Sequence, residues 1–122
     1  MDIVLHSFGY KHGYPEADVV LDVRFLPNPY WVPELKAGNG CDPEVALHVL
    51  NNEKGHIFLA RLEPFLQFLL EEHQKKEREQ LTVAIGCTGG RHRSVAVTEH
   101  LRRFLGRCGF VLEVYHRDID KK

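Results

Sequence analysis

A chain of 122 residues with 43% hydrophobic and 27% charged content reads as one domain, large enough to bury about two thirds of the surface its unfolded form exposes. A formal net charge of −1 excludes the overall basic footprint of an obligate nucleic-acid binder, and no apolar run approaches the roughly 20 residues that span a bilayer. Three cysteines (Cys41, Cys87 and Cys108) without framework spacing predict reduced thiols, and with no charged-then-apolar leader the expected compartment is the cytoplasm.

Ile3-Val4-Leu5 predicts a first strand, followed by the loop Ser7-Phe-Gly-Tyr-Lys-His-Gly13. Lys11 and His12 stand beyond that strand end, either as ligand contacts or as ordinary solvated side chains. Asp18 to Phe25 reads as a second strand, with Asp22 and Arg24 two apart and so on one face. They form a structural ion pair, or Asp22 accepts from a sugar hydroxyl or amine. The Pro-rich stretch Phe25 to Pro33 cannot be a strand; its Tyr30 and Trp31 wall a pocket or anchor the loop, and for Trp31 core anchoring is the expectation.

Asp42-Pro43-Glu44 is a helix start with Asp42 as N-cap, and this helix should end between Asn51 and Gly55. Leu62, Phe65, Leu66, Leu69 and Leu70 mark one face of a second helix, whose polar continuation from Glu71 to Gln80 should be exposed. An apolar run from Leu81 predicts a strand ending at Gly86. A third helix follows Ser94, carrying Val97, Leu101, Leu105 and Cys108 on one side and stopping at Gly109. Phe110 to His116 is a last strand, and His116-Arg117 reads as a frayed basic tail, with phosphate contact as the alternative. Alternating strands and helices predict an α/β domain: a small, mostly parallel sheet flanked by helices, with ligands beyond the carboxyl ends of its strands.

The segment between the third strand and the third helix is the richest in chemistry. Strand, Gly-rich loop and helix make an anion cradle, because loop amides and first-turn N–H groups lack partners within the chain. Cys87, Thr88, Gly89, Gly90, Arg91, His92, Arg93 and Ser94 supply that loop and its guanidinium forks. A phosphorylated small molecule is the expected ligand. Cys87 and Arg93 also stand at the C-x5-R-S/T spacing of cysteine-dependent phosphatases, in which Cys87 would attack, Arg93 clamp the phosphoryl oxygens and Asp22 protonate the leaving group. The simpler reading of Cys87 is a small, half-buried residue at a strand end. From Arg91 to Arg107, Arg91, Arg93, Arg102, Arg103 and Arg107 oppose only Glu99, which makes either a solvated helix face or a phosphate-backbone surface. No His/Cys/Asp spacing suggests a metal, no C-x-x-C occurs, and no cofactor is expected.

Taken together, Ser7-Phe-Gly-Tyr-Lys-His-Gly13, Asp22-Val-Arg-Phe-Leu-Pro-Asn-Pro29 and Val83-Ala-Ile-Gly-Cys-Thr-Gly-Gly-Arg-His-Arg-Ser94 resemble, in order and spacing, the C-terminal domain of the RNase adapter protein RapZ family. The resemblance covers nearly the whole chain, here without the family's preceding P-loop kinase-like domain: no G-x-x-x-x-G-K-[ST] motif occurs, so no ATP site is implied. What it implies is binding of glucosamine-6-phosphate and small regulatory RNA, delivery of that RNA to an RNase partner, and self-association. The implied pocket takes Asp22 from a strand and Cys87, Thr88, Gly89, Gly90, His92 and Arg93 from the loop, with His12 nearby. Lys11, Arg102, Arg103, Arg107, His116 and Arg117 are the candidate RNA contacts. The chain departs from the family at Tyr30 (a histidine there), at Arg91 (a lysine) and in the tail, where Asp118 and Asp120 stand in a segment that is strongly basic in RNA-binding members. Three functions follow: a phosphosugar-sensing module, a cysteine phosphatase, or an RNA-binding adapter that senses no metabolite.

Overall fold

The computed structural model describes residues 1–122. Four strands, β1 (Asp2–Gly9), β2 (Val19–Asp22), β3 (Gln80–Cys87) and β4 (Leu112–His116), and four helices, α1 (Pro33–Lys36), α2 (Pro43–Leu50), α3 (Glu53–Lys75) and α4 (Arg93–Arg107), follow in the order β1-β2-α1-α2-α3-β3-α4-β4. The strands form a single sheet in the order β2-β3-β1-β4, and every neighbouring pair is parallel. The domain is therefore an α/β sheet with flanking helices. β1 and β3 lie side by side, in register from Asp2↔Gln80 to Gly9↔Cys87, yet the chain leaves them for opposite edges of the sheet. That divergence is the topological switch point, and it opens a crevice beyond the carboxyl ends of the two central strands.

Burial explains why these segments are strands. β1 is buried without interruption from Ile3 to Gly9, as a strand covered on both faces must be, whereas the edge strand β2 alternates between half-buried and exposed residues. Leu5, Val83 and Ile85 of the sheet pack with Leu66 and Leu70 of α3 and with Val97, Leu101 and Leu105 of α4. Each such side chain contributes roughly 1.5–3 kcal/mol by leaving water.

Asn52 separates two helices. Its Oδ1 accepts from Gly55 N at 2.8 Å and caps α3, while its Nδ2 donates to the carbonyls of His48 and Val49 at the end of α2. α3 thus begins at Glu53, well before the Leu62 stripe. Asp42 precedes α2, but its carboxylate accepts from Asn39 N at 2.9 Å and not from the helix's own first turn. β2 stops at Asp22, earlier than its apolar composition suggests: Val23 N still donates to Gly86 O, and a turn closed by Leu26 N to Val23 O then leads the chain out of the sheet. β3 runs one residue past Gly86 because Cys87 still pairs with Gly9.

The C-terminal segment corrects the expectation of a frayed tail. His116 closes β4, with Nδ1 2.7 Å from Ser7 Oγ and Nε2 2.7 Å from Glu99 Oε2. Asp118 is fully buried and accepts from Gly9 N at 2.7 Å, Arg117 Nη2 at 2.8 Å and Lys121 Nζ at 2.7 Å. Arg117 Nη2 also donates to Gly13 O at 2.7 Å. Asp118, named above as an acidic departure in the tail, is a buried clasp that ties the tail to the exit of β1. No helix is long and apolar enough to cross a membrane.

Candidate functional site

After Cys87 the chain turns through residues 88–92 and enters α4 at Arg93. Gly90 makes the turn at φ 79°, in the left-handed region that favours glycine, and a Cβ there would stand 2.6 Å from Gly9 N. A Cβ on Gly9 would meet the Gly89 carbonyl carbon at 2.4 Å. The loops leaving β1 and β3 therefore touch backbone to backbone, and Lys11 N donates to Thr88 O at 3.2 Å across the same junction.

This turn leaves donors free. From Thr88 through Val95 no backbone N–H donates within the chain, and α4 has no side-chain cap at His92. Free amides at a helix N-terminus favour an anion. His92 is buried, and burial pushes its pKa below the usual histidine value; its Nε2 lies 3.1 Å from Lys36 O and joins α1 to the loop. The ring is neutral at neutral pH and serves as a brace, while the positive charge comes from its neighbours.

Arg93 is the most constrained of those neighbours. Only 6% of it is exposed, and Nη1 donates to the carbonyls of Arg24 and Leu26, which closes the β2 exit loop over α4. Nη2 has only a long 3.4 Å contact to Thr88 Oγ1, and Nε is buried without a partner. Nε and Nη2 together form the edge of a guanidinium that matches two oxygens of a phosphate. Arg91 Nε is a second buried nitrogen without a partner. Buried polar groups are normally satisfied, so two orphaned guanidinium nitrogens on one loop call for a ligand.

These groups surround a cleft of about 780 Å³. Lys11, Lys36, Arg91, Arg93, Lys121 and Lys122 line it, and no Asp or Glu does. One wall is aromatic. Asn28 Oδ1 accepts from Tyr30 N and starts the short 3-10 turn Pro29–Trp31, which sets Tyr30 and Trp31 edge to face at 5.0 Å. Trp31 is 76% exposed, so it does not anchor the loop in the core as its size suggests; it faces the cleft. Lys36 Nζ sits 4.3 Å above the Tyr30 ring, a cation–π contact that holds one lysine at the rim.

Of the residues singled out in the sequence, Lys11, Tyr30, Cys87, Thr88, Gly89, Arg91, His92 and Arg93 come together around the cleft. His12, Asp22, Arg24, Gly90 and Ser94 lie outside its lining. Asp22 and Arg24 form a bidentate ion pair with a closest approach of 2.7 Å, and Arg24 stacks over Tyr10 at 4.0 Å. His12 ends the short 3-10 turn that follows β1. Ser94 is buried, with its Oγ accepting from Cys87 Sγ at 3.1 Å. On α4, Arg102 pairs with Glu99 at 3.0 Å, while Arg103 and Arg107 are exposed. Helical rise puts Arg103 about 15 Å along α4 from Arg93, so these arginines occupy the far end of the helix from the cleft. Lys36, Lys121, Lys122 and Asn28 escaped the sequence reading. Nothing local distinguishes them from surface residues, and only the α1 turn and the Asp118 clasp bring them to the loop.

The cleft can hold a phosphoryl group in a setting where every formal charge is positive. Phosphoryl transfer through Cys87 would also require a proton donor. The hydrogen bonds from Arg24 hold the Asp22 carboxyl below the usual carboxylate range, so at neutral pH it has no proton to give.

Comparison with known proteins identifies the family. A family model described as the RapZ C-terminal domain matches residues 1–120. The chain is 53% identical over 122 residues to a nucleotide-binding protein of Geobacter metallireducens and 52% identical over 122 residues to one of Geotalea uraniireducens, in each case covering 99% of this chain. It is 50% identical over 115 residues, 93% of its length, to a nucleotide-binding protein of Nitratidesulfovibrio vulgaris. It spans 43%, 42% and 39% of those three relatives, respectively. With a family model covering nearly every residue, the chain belongs to the RapZ C-terminal domain family.

Proposed function

We propose that the cleft binds the phosphate of a phosphorylated sugar and that its occupancy governs binding of a small RNA or an RNase partner. The observation that carries this reading is a lining with six cations and no carboxylate, in a chain whose net charge is −1. The phosphate would sit against the free amides of the 88–92 loop and the Nε/Nη2 edge of Arg93. The sugar ring would lie against Tyr30 and Trp31, where an apolar face with a few polar groups suits a pyranose. Glucosamine-6-phosphate is the first ligand to try, because the family resemblance implies it. With Asp22 already neutralised by Arg24, an amino group on the sugar would find only neutral acceptors such as Asn28.

The nucleotide binding named for the relatives concerns proteins more than twice as long, and no G-x-x-x-x-G-K-[ST] motif occurs in these 122 residues. In this reading RNA takes a separate surface, the Arg103 and Arg107 end of α4. The same cleft gripping an RNA phosphate is the competing reading, and the aromatic wall beside the phosphate loop favours the small molecule.

Trp31→Ala separates sugar from phosphate recognition. By calorimetry it is expected to weaken the sugar phosphate about 5–10-fold, the loss of roughly 1 kcal/mol of ring contact, and to leave inorganic phosphate unchanged. Equal losses for both ligands would mean that the aromatic wall shapes the loop and does not read the sugar.

A further inference from the structure

Away from the cleft, three side chains from separate elements converge. Cys41 lies in the loop before α2, Glu99 on α4 and His116 at the end of β4. One donor atom of each lies within 4.8 Å of the other two. We propose that Cys41, Glu99 and His116 bind one divalent cation of the zinc class, with a fourth position open to water.

The chemistry of the donors selects the ion. Thiolate, imidazole and carboxylate together suit zinc, whereas magnesium and calcium prefer oxygen alone. Ligand bonds of about 2.0–2.3 Å at tetrahedral angles put donor atoms roughly 3.3–3.7 Å apart. The His116–Glu99 pair, at 2.7 Å, would open as an ion entered between them, and Cys41, within 4.8 Å of both, is exposed and leaves an entry path from solvent. Thiolate and carboxylate together neutralise the dication.

The surroundings already orient two of the donors. His116 Nδ1 is 2.7 Å from Ser7 Oγ, a buried hydroxyl, and this fixes the ring with Nε2 directed at Glu99. Zinc-bound histidines use the second ring nitrogen in this way. His116 Nε2 and Glu99 Oε2, 2.7 Å apart, share a proton that the cation would replace, while Arg102 Nη2 donates to the same Oε2 at 3.0 Å and leaves Oε1 without a side-chain partner. Binding also releases the Cys41 thiol proton. The third donor is placed by its own turn: Cys41 N donates to Asn39 Oδ1 at 2.8 Å, and Gly40 N donates to Arg91 O at 2.8 Å. A bound ion would pin this turn between α4 and β4, next to the loop that lines the cleft.

Titration with Zn²⁺ alone, and with Co²⁺ as its spectroscopic substitute, tests the site. One equivalent of Co²⁺ is expected to give the intense visible bands of a tetrahedral centre together with a thiolate charge-transfer band, and Zn²⁺ is expected to displace it. Losing an outer partner such as Ser7, in Ser7→Ala, is expected to cost about 10–100-fold in Zn²⁺ affinity with the thiolate band retained. Cys41→Ser removes a ligand and is expected to abolish that band and to cost more than Ser7→Ala does. Cys108→Ser, at a thiol outside the cluster, is expected to change nothing. Melting curves without metal confirm that each variant is folded. Equal Zn²⁺ affinity in the parent and Cys41→Ser, or Co²⁺ spectra lacking a Cys41-dependent thiolate band, would overturn the assignment and leave only scattered surface histidines as binders.

Discussion

Asp118→Asn is expected to lower the stability of the domain by about 3 kcal/mol, a fall of about 10 °C in Tm for a domain of this size. Breaking a buried charged cluster usually costs 3–5 kcal/mol, roughly speaking, and the low end applies because Arg117 and Lys121 keep part of their hydration. The amide would still accept from Gly9 N, but it offers an –NH₂ where Arg117 and Lys121 require an acceptor. The effect also depends on pH. Burial alone would raise the Asp118 pKa, but Arg117, Gly9 N–H and Lys121 outweigh it and hold the carboxyl well below the ordinary range. A folded value below the unfolded one of about 3.9 means that this contribution is complete above about pH 4 and is lost as pH falls further. Urea unfolding is therefore expected to show a parent–variant gap that is constant from pH 8 to about pH 5 and narrows towards pH 3. A gap under about 0.5 kcal/mol at pH 7 would show that the tail is not clasped. Because the clasp also places Lys121 and Lys122 at the cleft, the variant is expected to bind anions more weakly.

Arg93→Lys is expected to weaken sugar-phosphate binding by about 100-fold while keeping the formal charge. Arg93 has two tasks: its Nη1 holds the Arg24 and Leu26 carbonyls, and its Nε and Nη2 remain for the ligand. A lysine has no planar fork and cannot reach both. Two charge-assisted hydrogen bonds at about 1.5 kcal/mol each give about 3 kcal/mol, which is that factor of roughly 100. Calorimetry reads the affinity, and a melting curve separates it from the loss of the loop tether. Affinity within about 3-fold of the parent would place the phosphate elsewhere in the cleft.

The fold was legible where a single property decides the structure. Continuous apolar, β-branched runs marked β1 and β3, and the leucine stripes marked α3 and α4, because burial on a fixed period leaves its pattern in the chain. Helix boundaries were less legible where a side chain acts outside its usual role. Asp42 turns back to Asn39, and Asn52 serves two helices at once. Trp31 was placed in the core from its size, but a turn started by Asn28 holds it in solvent. The Gly-rich loop between β3 and α4 was readable because its glycines, arginines and helix start are contiguous. The rest of the cleft was not: Lys36, Lys121 and Lys122 reach it through α1 and through the Asp118 clasp, and neither leaves a local signature. The donors Cys41, Glu99 and His116 are likewise far apart in the chain and meet only because β4 lies beside β1, under α4.

The central claim is that the cleft reads a sugar as well as a phosphate. Calorimetric titration of the domain with glucosamine-6-phosphate, with glucose-6-phosphate and inorganic phosphate as references, tests it most directly. Both sugar phosphates are expected to bind at least about tenfold more tightly than inorganic phosphate, a gain of about 1.4 kcal/mol from the aromatic wall and the ring hydroxyls. Equal and weak binding of all three would contradict the account and reduce the cleft to a general anion site.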